Sequence, residues 1–111
     1  MKTQTIQDIF DVSQAFASGK RLLLLFILKN EPMGYTAMTK YFERMDVPIG
    51  SSEVYKHLKQ LIDRGYIAKK SNSYVLTLKG LRAVENTVDI INTPPTIPEV
   101  RLSFREKRIS K

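Results

Sequence analysis

Apolar residues recur at intervals of three and four along most of the chain, which is the periodicity of amphipathic helices. The pattern predicts five helices, over residues 3–17, 20–30, 35–45, 51–64 and 78–92. The second contains the longest apolar run, Leu22 to Leu28, and is apolar on nearly every side, so we expect it in the middle of the core. A run of seven residues is far shorter than the roughly 20 that a membrane span needs. The sequence therefore predicts no membrane segment.

The fourth helix has a clear beginning and a clear end. Gly50 or Ser51 can serve as its N-cap, and with Gly50 as the cap Ile49 and Val54 can close as a hydrophobic staple. Gly65 follows the last helical residue, where a left-handed conformation ends many helices. Spacing at 100° per residue separates two faces. The apolar face comprises Val54, Leu58, Leu61 and Ile62, with His57 at its edge, and the polar face comprises Ser52, Lys56, Lys59 and Asp63.

A β-hairpin is predicted directly after this helix. The β-prone stretches 66–70 and 74–78 flank a short polar turn at Ser71, Asn72 and Ser73. Thr77 is the predicted N-cap of the last helix, and Thr36 is the predicted N-cap of the third. The predicted inward residues of the third helix are Met38, Tyr41, Phe42 and Met45.

The combined pattern resembles a known family. A helix of the form Ser-x-x-Val-Tyr-x-x-Leu-x-x-Leu ends in Arg-Gly-Tyr-Ile and precedes a basic hairpin that closes on Tyr-x-Leu-Thr-x-x-Gly. Over about residues 20–92 this is similar to the winged helix-turn-helix of PadR-, MarR- and ArsR-like transcription regulators. The resemblance implies a mainly α fold with a small β-hairpin. Its units are an N-terminal helix (1–18), the winged domain (19–80), a C-terminal dimerisation helix (81–92) and a tail (93–111).

The resemblance also implies which residues meet DNA, because in these families the second helix of the motif lies in the major groove and the wing lies on the backbone or in the minor groove. Lysines could donate to guanine, Gln60 could read adenine, and Glu53 could accept from cytosine. Ser51 and Ser52, at the helix N-terminus, would hold a phosphate. The predicted DNA-binding residues are Ser51, Ser52, Glu53, Tyr55, Lys56, Lys59 and Gln60 on the helix, and Lys69, Lys70, Ser71 and Asn72 at the wing tip. A solvated turn is the alternative interpretation of the wing tip.

The charge distribution fits a polyanion partner. The chain of 111 residues has 18 Lys and Arg against 11 Asp and Glu, a formal net charge of +7. Residues 40–82 hold nine basic and four acidic side chains. Most of the excess positive charge therefore lies around the fourth helix and the hairpin, which we together call the reading head. Charge alone is equally compatible with a generally basic surface.

A homodimer is the expected assembly. Leu81, Val84, Val88 and Ile91 are spaced as the seam of a two-stranded coiled coil, and Ile6 and Phe10 lie on the apolar stripe of the N-terminal helix. These six residues are the predicted dimer interface. The alternative is that the seam folds back onto the chain's own N-terminal helix.

The tail begins at two adjacent prolines, Pro94 and Pro95, which end the last helix. Residues 99–111 carry five basic and two acidic side chains, and Val100, Leu102 and Phe104 alternate with polar residues. Two structures for this segment stay open, a short edge strand and a mobile basic arm, and the arm could contact another protein.

The sequence predicts no metal site, no cofactor and no enzymatic activity. The sequence has no cysteine and one histidine, His57, so it predicts no metal site and no cofactor. His57 is expected to be a packing residue or a phosphate contact. No nucleophile with a base and no Gly-rich phosphate loop occurs, so we do not expect an enzyme.

The function predicted from the sequence is sequence-specific binding of double-stranded DNA by a cytoplasmic, nucleoid-associated dimer, as a transcription regulator. Two alternatives stay open. One is a DNA-coating plasmid partition adaptor of PadR-like fold, and the other is a winged helix that binds proteins. Cations on the outward face of residues 51–64 favour DNA, whereas apolar residues there would favour a protein partner.

Overall fold

The computed structural model describes residues 3–97, which form five helices and one antiparallel hairpin. The elements are α1 (Thr3–Ala15), α2 (Gly19–Asn30), α3 (Tyr35–Arg44), α4 (Ser51–Asp63), β1 (Ile67–Lys70), β2 (Ser73–Leu76) and α5 (Leu78–Ile91). The predicted fold class, mainly α with a small β-hairpin in a winged helix-turn-helix, is confirmed. Most of the predicted tail, including its possible edge strand, lies outside the described residues.

The capping residues predicted from the sequence correctly mark both ends of α4 and the start of α5. Gly50 is the N-cap of α4, and Gly65, with φ of 81°, follows its C-cap residue Arg64. At the start of α5 the Thr77 hydroxyl oxygen accepts a hydrogen bond from the amide of Gly80 at 3.2 Å. The same hydroxyl donates to the carbonyl of Gly65 at 2.6 Å. One threonine therefore ties the end of α4 to the beginning of α5.

The predicted N-cap of α3 was wrong. The cap residue is Gly34, not Thr36, whereas α3 begins at Tyr35, within its predicted bounds. Gly34 follows Met33, which forms an isolated antiparallel bridge with Tyr74 of β2, through amide-to-carbonyl bonds of 3.3 Å and 2.7 Å. A Cβ on Gly34 would lie 2.8 Å from the carbonyl oxygen of Asn72, so a larger residue does not fit there without movement. The bridge sets the start of α3, and side-chain pattern alone does not reveal it.

The core forms around α2, as its run of leucines predicted. Leu24, Leu25 and Leu28 are buried against residues from α3, α4, the hairpin and α5. Met38 and Phe42 of α3 point inward as predicted, and Tyr41 is half-buried. Met45 does not point inward, because it is the C-cap residue beyond the last turn of α3 and is 37% exposed.

The predicted seam on α5 needs correction at Val84. Its side chain is completely buried within the chain, where α5 packs on α2 and β2, so it is not available to a second subunit. Leu81 and Val88 are half-buried, and only Ile91 of the four is exposed. The three-and-four spacing marks the core-facing stripe of α5, since the same stripe serves a core as well as a coiled coil. Ile90 and Ile91 are the exposed apolar residues at the end of this helix.

The N-terminal helix α1 is held mainly at its C-terminal end. Ala15 is buried, and the ring of Phe16 lies edge-on to Tyr66 with a centroid distance of 5.3 Å. The side chains of residues 4–14 are exposed. They include four large apolar side chains, Ile6, Ile9, Phe10 and Val12. An uncovered apolar face is therefore present on α1.

No helix within residues 3–97 has the length and apolar character needed to cross a membrane.

Candidate nucleic-acid interface

The helix-turn-helix pair is fixed at the point where α3 and α4 begin. The Tyr35 hydroxyl donates to the carbonyl of Ser51 at 2.8 Å, and the rings of Tyr35 and Tyr55 lie 5.3 Å apart between centroids. Tyr35 is the first residue of α3, and Ser51 is the first residue of α4. The start of α4 is therefore held by a hydrogen bond and an aromatic contact.

One face of α4 is buried and the opposite face is open. Val54, His57, Leu58 and Leu61 are buried. Of the predicted DNA-facing residues on this helix, five are exposed: Ser51, Ser52, Tyr55, Lys56 and Lys59. Lys59 lies 3.4 Å from the exposed carboxylate of Asp63, a pair that solvent weakens. The exposed surface of α4 is therefore polar and basic with one large aromatic side chain.

Glu53 and Gln60, the other two predicted base readers, are engaged within the chain. The Glu53 carboxylate lies 3.1 Å from Lys20 Nζ and 3.3 Å from His57 Nε2. The hydrogen bond from Lys20 lowers the pKa of Glu53, which keeps this carboxyl ionised. Gln60 Oε1 accepts from Arg64 Nη1 at 2.6 Å. A base contact by either residue would first require breaking these bonds.

His57 is a buried packing residue, in agreement with the first of its two expected roles. It lies on the inner face of α4, with Nδ1 accepting a hydrogen bond from Arg21 Nε at 3.2 Å. A phosphate cannot reach it in this arrangement. Sequence reasoning missed its partner Arg21, because the two residues are 36 positions apart and no local pattern joins them.

The wing presents its turn to solvent. β1 and β2 pair from Ile67 opposite Leu76 to Lys70 opposite Ser73. The turn residue Ser71 has φ of 55°, in the left-handed region. The four predicted contact residues are exposed: Lys69, Lys70, Ser71 and Asn72. Lys69 lies over the ring of Tyr74, 5.5 Å from its centroid, so the first lysine lies along the hairpin near the ring.

A groove of about 270 Å³ separates α4 from the wing. Its floor is largely apolar, and lysines from both elements stand beside it. The lining residues are Tyr55, Leu58, Lys59, Ile62, Asp63, Lys69 and Tyr74. Ile62, predicted to be on the packed face, is instead partly exposed at this groove. The groove therefore brings together Tyr55 and Lys59 of the helix and Lys69 of the wing, three of the predicted DNA-binding residues.

The described residues offer no alternative site for metal chemistry. Within residues 4–97 no three His, Asp or Glu side chains lie close enough together to hold a metal ion.

The chain was compared with known proteins. No family model and no curated protein sequence matches it. Among solved structures it is similar to the crystal structure of Bacillus subtilis PadR, with a TM-score of 0.57 and 22% sequence identity. The chain has a PadR-like winged-helix fold. The alignment covers 78% of this chain and 53% of that protein, so the chain spans about half of PadR's length. At this identity the likeness establishes the fold alone.

Proposed function

We propose that this protein is a homodimeric, sequence-specific DNA-binding protein that regulates transcription on the nucleoid, in the cytoplasm. The observation that carries the proposal is the continuous surface formed by α4, the groove and the wing. Tyr55 and Lys59 of α4 and Lys69 of the wing line this groove. The same two elements carry further exposed polar residues: Ser51, Ser52, Lys56 and Lys70. The fold that the chain shares with PadR is consistent with this use.

In the proposed complex α4 enters the major groove and the wing contacts the flanking backbone. One DNA strand then passes along the groove between them, with its sugars on the apolar floor and its phosphates near Lys59 and Lys69. Ser51 and Ser52 place hydroxyls and helix N-terminal amides at a neighbouring phosphate. Lys56, at the centre of the exposed face, is the leading candidate for base contact, since Glu53 and Gln60 are engaged elsewhere.

The proposed dimer uses the exposed apolar residues of α1 and the end of α5. Ile6, Ile9 and Phe10 on α1 and Ile90 and Ile91 on α5 are all exposed in the single chain. Such side chains are costly to leave in water, and a symmetric second copy offers the same apolar surfaces in return. A dimer also doubles the number of phosphate contacts.

Binding can be tested by fluorescence anisotropy on DNA duplexes at several salt concentrations. We expect Lys69→Ala with Lys70→Ala to weaken binding to all sequences and to reduce the slope of log K against log salt by roughly one for each phosphate that is no longer neutralised. Lys56→Ala should cost about 1–3 kcal/mol on a selected site and less on random DNA. Lys29→Ala, which removes an exposed lysine at the end of α2, is the charge-matched control for Lys56→Ala and should change little.

Two results would contradict parts of this proposal. If neither set of reading-head lysines changes affinity or salt slope relative to Lys29→Ala, the basic face does not bind DNA, and a protein-binding winged helix becomes the better interpretation. Footprinting separates the remaining DNA-binding roles. One short protected palindrome supports a regulator, whereas a footprint that lengthens with protein concentration would indicate a DNA-coating partition adaptor.

A further inference from the structure

A network of hydrogen bonds joins three helices beneath the reading head. Arg21 on α2 donates from Nε to His57 Nδ1 at 3.2 Å and from Nη1 to the carbonyl of Gln14 on α1. His57 Nε2 lies 3.3 Å from Glu53 Oε2, and Glu53 also accepts from Lys20 Nζ at 3.1 Å. We call these five residues the polar network. It runs from the end of α1 through α2 to the recognition helix α4.

The directions of these hydrogen bonds determine which ring nitrogen of His57 carries the hydrogen. An arginine Nε–H can only donate, so Nδ1 of His57 is the acceptor and Nε2 carries the hydrogen that points to Glu53. Arg21 and His57 are buried, whereas Lys20 and Glu53 lie at the half-exposed edge. Burial lowers the pKa of Arg21, with a smaller contribution from nearby Arg64, yet a guanidinium remains charged at any physiological pH. A buried charge is retained only when it is well paired, so these bonds are costly to break.

The position of Gln14 explains what Arg21 holds in place. Its carbonyl is among the last four of α1, at the negative end of the helix dipole, where its backbone partner is the amide of Ala17 at 3.4 Å. The guanidinium of Arg21 caps this end. Residues 4–14 of α1 are otherwise exposed, and the helix packs on the chain through Ala15 and Phe16. Arg21 therefore adds a directional polar contact to a helix that has little other support.

We propose that Arg21 is a positioning residue for DNA recognition, which holds α1 and the recognition helix α4 at a fixed relative orientation through Gln14 and His57. The inference rests on the proposed function, which assigns α1 to the dimer contact and α4 to the major groove. In such a dimer the direction of α1 sets the separation of the two recognition helices. That separation determines which half-site spacing the dimer accepts.

The orientation can be measured within one chain, without DNA. Because the sequence has no cysteine, Gln7→Cys on α1 and Lys56→Cys on α4 give two unique, exposed sites for spin labels. Double electron–electron resonance then reports their distance distribution, with excess unlabelled protein added so that only distances within a chain contribute. We expect a narrow distribution in the parent and a clearly broader one in Arg21→Met. Arg82→Met removes the same charge from an exposed position on α5 and should stay narrow.

A distribution in Arg21→Met as narrow as that of Arg82→Met would overturn the inference. If Arg21→Met does not fold, Arg21→Lys takes its place, because a lysine keeps the charge but lacks the planar fork from which Nε and Nη1 donate to His57 and Gln14. Broadening in Arg21→Lys supports the positioning role, and a parent-like width overturns it. Circular dichroism melts establish that each labelled variant is folded.

DNA binding supplies the second readout. On a duplex recovered by selection from random sequence, moving the two half-sites apart by two base pairs should weaken the parent about tenfold. Arg21→Met should show a much smaller loss, because its two reading heads are no longer held at one separation. If the parent binds no DNA, the proposed function fails while the distance measurement still decides the role of Arg21. If the parent binds and Arg21→Met keeps the same spacing preference, the positioning role fails alone.

Discussion

Replacing Val84 with alanine tests whether the apolar stripe of α5 belongs to the core or to a subunit interface. The side chain is 0% exposed in the single chain and packs where α5 meets α2 and β2. Val84→Ala removes two buried methyl groups and leaves a space that a packed core fills only in part. The reduced burial and the cavity together predict a destabilisation of about 2–3 kcal/mol. For a domain of this size the melting temperature should fall by roughly 10 °C or more.

The matched control is Ile91→Ala on the same helix. Ile91 is 70% exposed, so its truncation should change the stability of the chain by no more than about 0.5 kcal/mol. It removes apolar surface from the proposed dimer contact, and should therefore weaken association. Thermal melts over a hundredfold range of protein concentration, together with sedimentation velocity, separate the two effects. If Val84→Ala dissociates a dimer but leaves the melting of the dilute chain unchanged, our assignment of Val84 to the core is wrong.

Three further changes test other parts of the structure. Phe10→Asp places a charge on the exposed apolar face of α1, so light scattering should show monomer while the melt of the dilute chain hardly changes. An unchanged dimer mass would locate the contact elsewhere. Gly80→Ala should lower the free energy of unfolding in urea by roughly 1–3 kcal/mol, because the new Cβ would lie 2.1 Å from the Tyr66 carbonyl oxygen. In the control Gly19→Ala the new Cβ meets no atom within 4 Å and should not destabilise the chain. Equal effects of the two substitutions would refute this packing argument. Glu53→Gln tests the ion pair with Lys20, which lowers the pKa of Glu53 in the folded chain. The stabilisation is therefore present above the pKa of Glu53 in the unfolded chain and is lost as pH falls through its pKa in the folded chain. Parent and variant should differ in stability at neutral pH and converge in acid. A difference that is constant with pH would contradict the assignment.

The parts of the fold that the sequence predicted correctly depend on neighbouring residues. Gly50 and Gly65 mark the ends of α4, and Thr77 marks the start of α5, because capping uses atoms within a few positions of each other. The exposed face of α4 follows from helical geometry in the same way. Periodicity therefore sufficed for the helices, and turn composition for the hairpin, whereas the use of the exposed face of α4 for DNA came from the family resemblance and stays a prediction.

The errors concern contacts between residues that are distant in sequence. The stripe on α5 has the same spacing whether it meets a partner or the chain's own core, so the sequence could not reveal that Val84 is buried against α2 and β2. The role of Glu53 as a base reader, implied by the family resemblance, stays a prediction, but its pairing with Lys20 was missed because it depends on how α2 crosses α4. Gly34 replaced Thr36 as the cap because Met33 bridges to Tyr74. These outcomes depend on tertiary packing, which overrides local preference.

The bridge between Met33 and Tyr74 has a consequence for the thermodynamics of DNA binding. It anchors β2, close to the turn of the hairpin, to the residue that precedes the cap of α3, through two backbone hydrogen bonds. The strands are thus ordered before any ligand arrives, and association has to restrict only the exposed turn and the long lysine side chains. A preorganised surface loses less conformational entropy on binding than one that folds against its ligand. Calorimetry should accordingly show a heat-capacity change that matches the contact surface alone, without the larger change that accompanies folding of a segment on DNA.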